Sequence, residues 1–191
     1  MRLWTSQDVG FYEDLMSNGI AYCNKVSDFA KDNGIAYQWM AEQMKRRIGE
    51  PPLPEITLPV WAWYQYESKK KNKPPLSDNA KTRPGQKEVM IEFEAPAESV
   101  LLSGFLLWHH PLNGWDLSTD KRTARRIDEF FHVDFNDKPA EIQKLIVDSW
   151  NVIFDLDFRH KSLVTRHKKN RSIQATLWCI KKEWVVSAVE Y

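Results

Sequence analysis

A chain of 191 residues is long enough to bury a substantial core as one domain, spanning 1–191, without disulfides or metal. Hydrophobic residues at 42%, charged residues at 28% and a net charge of +1 exclude a disordered or collagen-like chain and a surface that is basic throughout. Cys23 and Cys179 are too few for a disulfide framework, the N-terminus has no signal-type apolar core, and no apolar run reaches about 18 residues, so a cytoplasmic chain with no membrane span is expected.

In chain order, Leu3-Trp4-Thr5 reads as a short strand, with Ser6 as the N-cap of a helix that carries Val9, Tyr12, Leu15 and Met16 on one face and stops at Asn18-Gly19. Asp28 then opens a longer helix through Phe29, Tyr37, Met40, Met44 and Ile48, and Lys45-Arg46-Arg47 in its last turn complements the helix dipole. Residues 56–66 form an aromatic strand. The Lys-, Pro- and Asn-rich segment 67–88 is a flexible basic loop, longer than compact domains usually carry. A strand from Val89 to Phe93 and a short apolar segment from Ser99 to Ser103 suggest a hairpin.

Farther on, His109-His110 precedes turn formers, a charged helix follows Thr123, and a stronger helix begins after Pro139 with Ile142, Leu145, Ile146, Trp150 and Ile153. Two strands, Ile173 to Ile180 and Trp184 to Val189, close the chain. Strands at both ends and in the middle, with helices between, define an α+β fold.

The aromatic strand carries the most information. Alternation places Trp61, Trp63 and Gln65 on one face and Val60, Ala62, Tyr64 and Tyr66 on the other. Such a strand is either buried on both faces or lines a cleft for a planar ligand with one of them. Two basic blocks accompany it: seven Lys or Arg against one Asp between Lys69 and Lys87, and six with no acid between Arg159 and Arg171. Aromatic rings beside basic loops suit a nucleic acid, whose bases stack and whose phosphates pair with cations. No metal is expected, because the one His pair is adjacent and neither cysteine has a partner at ligand spacing. Phosphate-loop and nucleophile-elbow motifs are absent.

The words Leu3-Trp4-Thr5, Trp61-Ala62-Trp63-Tyr64, Leu107-Trp108-His109 and Gln174-Ala175-Thr176-Leu177-Trp178, in this order, resemble an uncharacterised bacterial domain-of-unknown-function family over essentially the whole chain. More remotely, the order of elements resembles the ADP-ribosyltransferase fold, which implies a small split β-sheet core with flanking helices and a cleft for NAD. That resemblance implies catalytic positions at Arg2, Tyr64 and Gln174, and NAD-binding positions at Arg2, Thr5, Trp61, Trp63 and His109. Gln174 stands where that fold carries a carboxylate. An amide can hydrogen-bond a ribose hydroxyl but cannot supply negative charge to an oxocarbenium-like centre.

The expected function is thus an ADP-ribosyltransferase-like protein that binds NAD or a related nucleotide and transfers ADP-ribose to nucleic acid or protein. The alternative is a non-enzymatic nucleic-acid or protein-binding module. One strand could serve both core and cleft if Trp61 and Trp63 face the core while Tyr64 faces Arg2 and Gln174 across a cleft.

Overall fold

The computed structural model describes residues 1–23, 33–76, 87–160, 163–164 and 166–191. Strand β1 (Arg2–Asp8) runs past the expected Thr5 because Ser6, Gln7 and Asp8 keep pairing, with Met90, Val89 and Glu88. The cap of helix α1 (Val9–Asn18) is therefore Asp8 rather than Ser6, and its Oδ1 accepts the Phe11 amide at 2.9 Å. Gly19 ends α1 at φ 78°, a left-handed conformation that its missing Cβ permits.

After the two-residue strand β2 (Ile20–Ala21) comes helix α2 (Gly34–Ile48), which buries Ala36, Trp39, Met40 and Met44. The expected helix start at Asp28 and Phe29 lies outside the described residues. Strand β3 (Val60–Gln65) is shorter than the apolar pattern because the Tyr66 amide turns away to Asn72 O at 2.9 Å. Strands β4 (Glu88–Glu94) and β5 (Leu101–Gly104) lead into helix α3 (Phe105–Leu112), where the sequence pattern announced only a turn. Helices α4 (Lys121–Asp128) and α5 (Ala140–Ser149) follow, and α5 tightens into a 3₁₀ turn over Trp150–Phe154. Strands β6 (Ile173–Leu177), β7 (Ile180–Lys181) and β8 (Val185–Glu190) complete the described elements.

Six of these strands form one antiparallel sheet in the order β5-β6-β3-β1-β4-β8, and β2 pairs with β7 in a separate ladder. The α+β class and the single domain stand. The core, expected as small split sheets, is a continuous six-stranded sheet with a two-stranded ladder beside it. The expected β4–β5 hairpin does not form. The chain turns through a 3₁₀ segment at Ala97–Ser99, and β5 pairs instead with β6 at the far edge of the sheet.

Both faces of the sheet are covered, which explains why its central strands read as apolar on both sides. Leu3, Val60, Ala62, Ile91, Phe93, Ala175 and Leu177 pack with Leu15 of α1 on one face. The second buried cluster joins Trp61 and Leu101 to Trp39, Met40 and Met44 of α2, Leu107 and Trp108 of α3, and Ile142 and Ile146 of α5. Trp150 is fully buried in this second cluster, edge-on to Trp39 at 5.4 Å, stacked with Phe135 at 5.9 Å, and donating its indole N–H to Trp115 O at 2.7 Å. Gly114, at φ 64°, lets the chain turn under Phe135: a Cβ there would lie 2.9 Å from the Phe135 Cβ.

Candidate functional site: a tryptophan-lined cleft

Register across the sheet brings the sequence-predicted residues together. Ser103, Gln174, Trp63, Trp4 and Glu92 lie opposite one another on β5, β6, β3, β1 and β4, and directly paired residues share a face. The adjacent row carries Leu101, Thr176 and Trp61. Helix α3 begins immediately after β5 and lies over this face, presenting Phe105, Trp108, His109 and Leu112 at helical spacing i, i+3, i+4 and i+7. Tyr37 of α2 completes the wall.

These side chains, with Thr5 and Ser6 of β1, bound a cleft of about 330 Å³. Its walls are a network of rings. Trp61 lies 5.0 Å from Trp108 and 5.9 Å from Tyr37, while Trp63 lies 4.9 Å from Phe105, which in turn meets the His109 ring at 4.9 Å. The Trp61–Trp108 pair is tilted and the other three are edge-to-face; aromatic pairs of this kind are worth about 0.5–1.5 kcal/mol each beyond the area they bury, so the walls are pre-formed. Burial holds the Tyr37 phenol above its ordinary value, with the nearby Cys23 adding to the shift, so Tyr37 is neutral at pH 7. Among the described residues the lining carries no Asp, Glu, Lys or Arg.

Five of the seven expected site residues line this cleft: Thr5, Trp61, Trp63, His109 and Gln174. The Gln174 amide is buried and donates to Ser103 Oγ at 3.1 Å, which fixes its orientation. The Thr5 hydroxyl donates to Trp61 O at 2.6 Å and accepts from the Gln7 amide at 2.8 Å, so its hydrogen-bonding role is internal. His109 Nδ1 faces Phe105 O at 3.1 Å. Because a carbonyl only accepts, Nδ1 carries the proton, and Nε2 of the neutral ring is an acceptor.

Two residues sit elsewhere. Tyr64 packs against the Leu3–Leu15 cluster on the opposite face of the sheet, so the orientation is the reverse of the dual-role arrangement: the tryptophans line the cleft and Tyr64 backs the sheet. Arg2 belongs to the β1–β4 side, where its guanidinium bonds Glu94 at 2.9 Å and approaches Glu92 at 3.5 Å. Arg2, Tyr64 and Gln174 therefore do not surround one point. Tyr37, Phe105 and Leu112 are lining residues that the sequence reading passed over. The last two share one helical face with Trp108 and His109, a signal that exists only once 105–112 is helical, whereas Tyr37 reads from sequence as a packing residue.

Two indole N–H groups, on Trp4 and Trp61, are the buried side-chain polar atoms without a hydrogen-bond partner among the described residues. Leaving such a donor unmade is destabilising by roughly 1–3 kcal/mol. Trp108 and Trp178 are buried as core residues, and Trp178 donates its N–H to Gly49 O at 2.8 Å. No group of three or more His, Cys, Asp or Glu side chains among the described residues converges as a metal site would require.

A continuous antiparallel sheet with an aromatic cleft under one helix defines an α+β domain with a ring-lined pocket on that face. The model of a domain family of unknown function, DUF3841, matches residues 2–186, and the chain belongs to that family. No curated protein and no solved structure matches the chain.

Proposed function

We propose that the cleft binds the planar ring of a nucleotide, with NAD or a related nucleotide as the ligand class. The observation that carries this reading is the convergence of Trp61, Trp63, Trp108, Tyr37 and Phe105 on one cavity whose polar end is the oriented amide of Gln174. Flat aromatic walls recognise a flat ligand, and a few placed polar groups fix its orientation. His109 Nε2 would accept from an exocyclic amide N–H, and Gln174 would hydrogen-bond a ribose hydroxyl or ring carbonyl. A small rotation of Trp61 would give its unsatisfied N–H an acceptor on the ligand.

ADP-ribose transfer would need a carboxylate beside the bond that breaks, to stabilise the cationic centre as nicotinamide departs. Among the described residues the lining offers Gln174 in that role and no acid, and the Arg2 guanidinium is already engaged by Glu94. The ligand is therefore expected to bind without turnover. Calorimetric titration with NAD, paired with mass-spectrometric detection of free nicotinamide, tests both halves. The expected result is saturable binding and no nicotinamide release. No heat of binding at millimolar NAD contradicts the ring-binding reading, and released nicotinamide contradicts the assignment of binding without transfer.

A further inference from the structure

One end of each basic block, at residues 67–73 and 166–171, meets the other in the fold across some ninety residues of sequence. The Lys69 amide donates to Lys169 O at 2.8 Å, and the buried Gln65 side chain spans to Lys168 O at 2.8 Å and Arg171 O at 2.5 Å. Gln65 occupies this position because β3 shifts register between Trp63 and Gln65. Segments 67–73 and 166–171 together hold eight Lys or Arg against one acid, Glu67, on a chain whose total charge is only +1.

Several of these cations are already used. Lys71 pairs with Glu67 at 3.1 Å, Lys168 with Asp157 at 3.8 Å and Lys73 with Glu92 at 4.0 Å, while the buried Arg171 guanidinium holds the Leu156 and Phe158 carbonyls at 2.7 and 3.0 Å. Lys69, Lys70, Arg166 and Lys169 are exposed and make no ion pair among the described residues. Lys70, Lys71 and Arg166 line a groove of about 510 Å³ whose wall includes Phe105. Phe105 is also a wall of the tryptophan cleft, in contact with Trp63. A neutral, ring-lined cleft and a basic groove thus share one aromatic side chain.

We infer that this joined surface binds single-stranded nucleic acid, with the phosphate backbone along the Lys70–Arg166 groove and one unstacked base passing Phe105 into the cleft. The inference rests on the ring-binding reading of the cleft and extends its ligand from a mononucleotide or dinucleotide to a strand. Alternation of cationic and aromatic surface is the pattern single strands require, because phosphates need charge and exposed bases need a stacking partner. A duplex keeps its bases paired and stacked and cannot offer one to a cleft of this size without flipping it out. An acidic peptide would satisfy the groove and leave the ring walls unfilled.

Fluorescence anisotropy of the full chain with a labelled oligothymidylate of about ten nucleotides tests the inference. Four available cations predict a salt dependence with a log–log slope of about −3, or a roughly 50-fold loss between 50 and 200 mM salt. The double substitution Lys70→Glu/Arg166→Glu is expected to weaken binding at least tenfold, and Trp63→Ala is expected to weaken it about fivefold or more. Circular dichroism melts of each variant separate these losses from unfolding.

Equal affinity for a blunt duplex, equal competition by polyglutamate, or insensitivity to either variant would overturn the inference. Calorimetry with NAD distinguishes its failure from that of the cleft reading. If NAD binds and the oligonucleotide does not, the strand inference falls and the cleft reading stands. If the oligonucleotide binds regardless of Trp63 while NAD does not bind, both fall and only an electrostatic patch is left.

Discussion

Replacing Trp150 with Ala is expected to lower the unfolding free energy by about 3–5 kcal/mol. Trp150 is fully buried, joins Trp39 of α2 to Phe135 through ring contacts, and ties the loop after α3 down by its bond to Trp115 O. Its removal leaves a cavity and an unmet carbonyl together. For a chain of this length the loss corresponds to a fall in melting temperature of roughly 6–20 °C. Trp115 supplies only its backbone oxygen to that bond, and its side chain is 58% exposed, so Trp115→Ala should change stability far less. Thermal melts of the two variants side by side check the contrast. Equal losses would show that the cluster around α2 and α5 is not the stability centre of the fold.

Trp63→Ala has the largest expected effect on binding. Trp63 is a half-buried ring on the cleft wall, 4.9 Å from Phe105 and 5.1 Å from Tyr66, so truncation removes a stacking surface without opening the main core. Loss of one aromatic platform costs about 1–3 kcal/mol of binding free energy, equivalent to about fivefold to a hundredfold in affinity for NAD. Trp63→Phe keeps a planar wall and should recover most of it. Tyr64→Ala, on the opposite face of the sheet, should leave NAD affinity nearly unchanged. Calorimetric dissociation constants for the three variants decide the point, and a larger loss from Tyr64→Ala than from Trp63→Ala would put the ligand on the other face.

Local signals in the chain carried much of this architecture. Asn18-Gly19 marked the end of α1, Pro139 the start of α5, and alternation in Pro59 to Tyr66 correctly divided Trp61 and Trp63 from Val60, Ala62 and Tyr64. What alternation does not encode is which face meets helices and which has room left for a ligand, because both faces of a central strand are apolar. The same limit applied at Ser6 and Asp8. Either is a good N-cap, and only pairing with Glu88 to Met90, some eighty residues away, extends the strand to Asp8.

Long-range pairing also explains the missed partner of β5, which local spacing assigned to β4 and the fold gives to β6 across seventy residues. Of the candidate site, the residue types were legible and their meeting was not. Phe105, Trp108, His109 and Leu112 form one face only if the segment is helical, and Pro111-Leu112-Asn113-Gly114 reads locally as a turn. The two basic blocks were each visible as loops. Their meeting at residues 67–73 and 166–171 is held by the Lys69–Lys169 backbone bond and by the Gln65 side chain, beside a register shift that no composition signal announces.

The central claim is that a planar nucleotide ring occupies the cleft between β3 and α3, and the indole N–H resonances of the nine tryptophans report on it directly. In a nitrogen–proton correlation spectrum assigned by single Trp→Phe variants, titration with NAD is expected to shift the Trp61, Trp63 and Trp108 signals. Those of Trp39, Trp150 and Trp178, buried away from the cleft walls, should stay in place. A spectrum unchanged at saturating NAD, or one in which only Trp115 and Trp184 move, would contradict it.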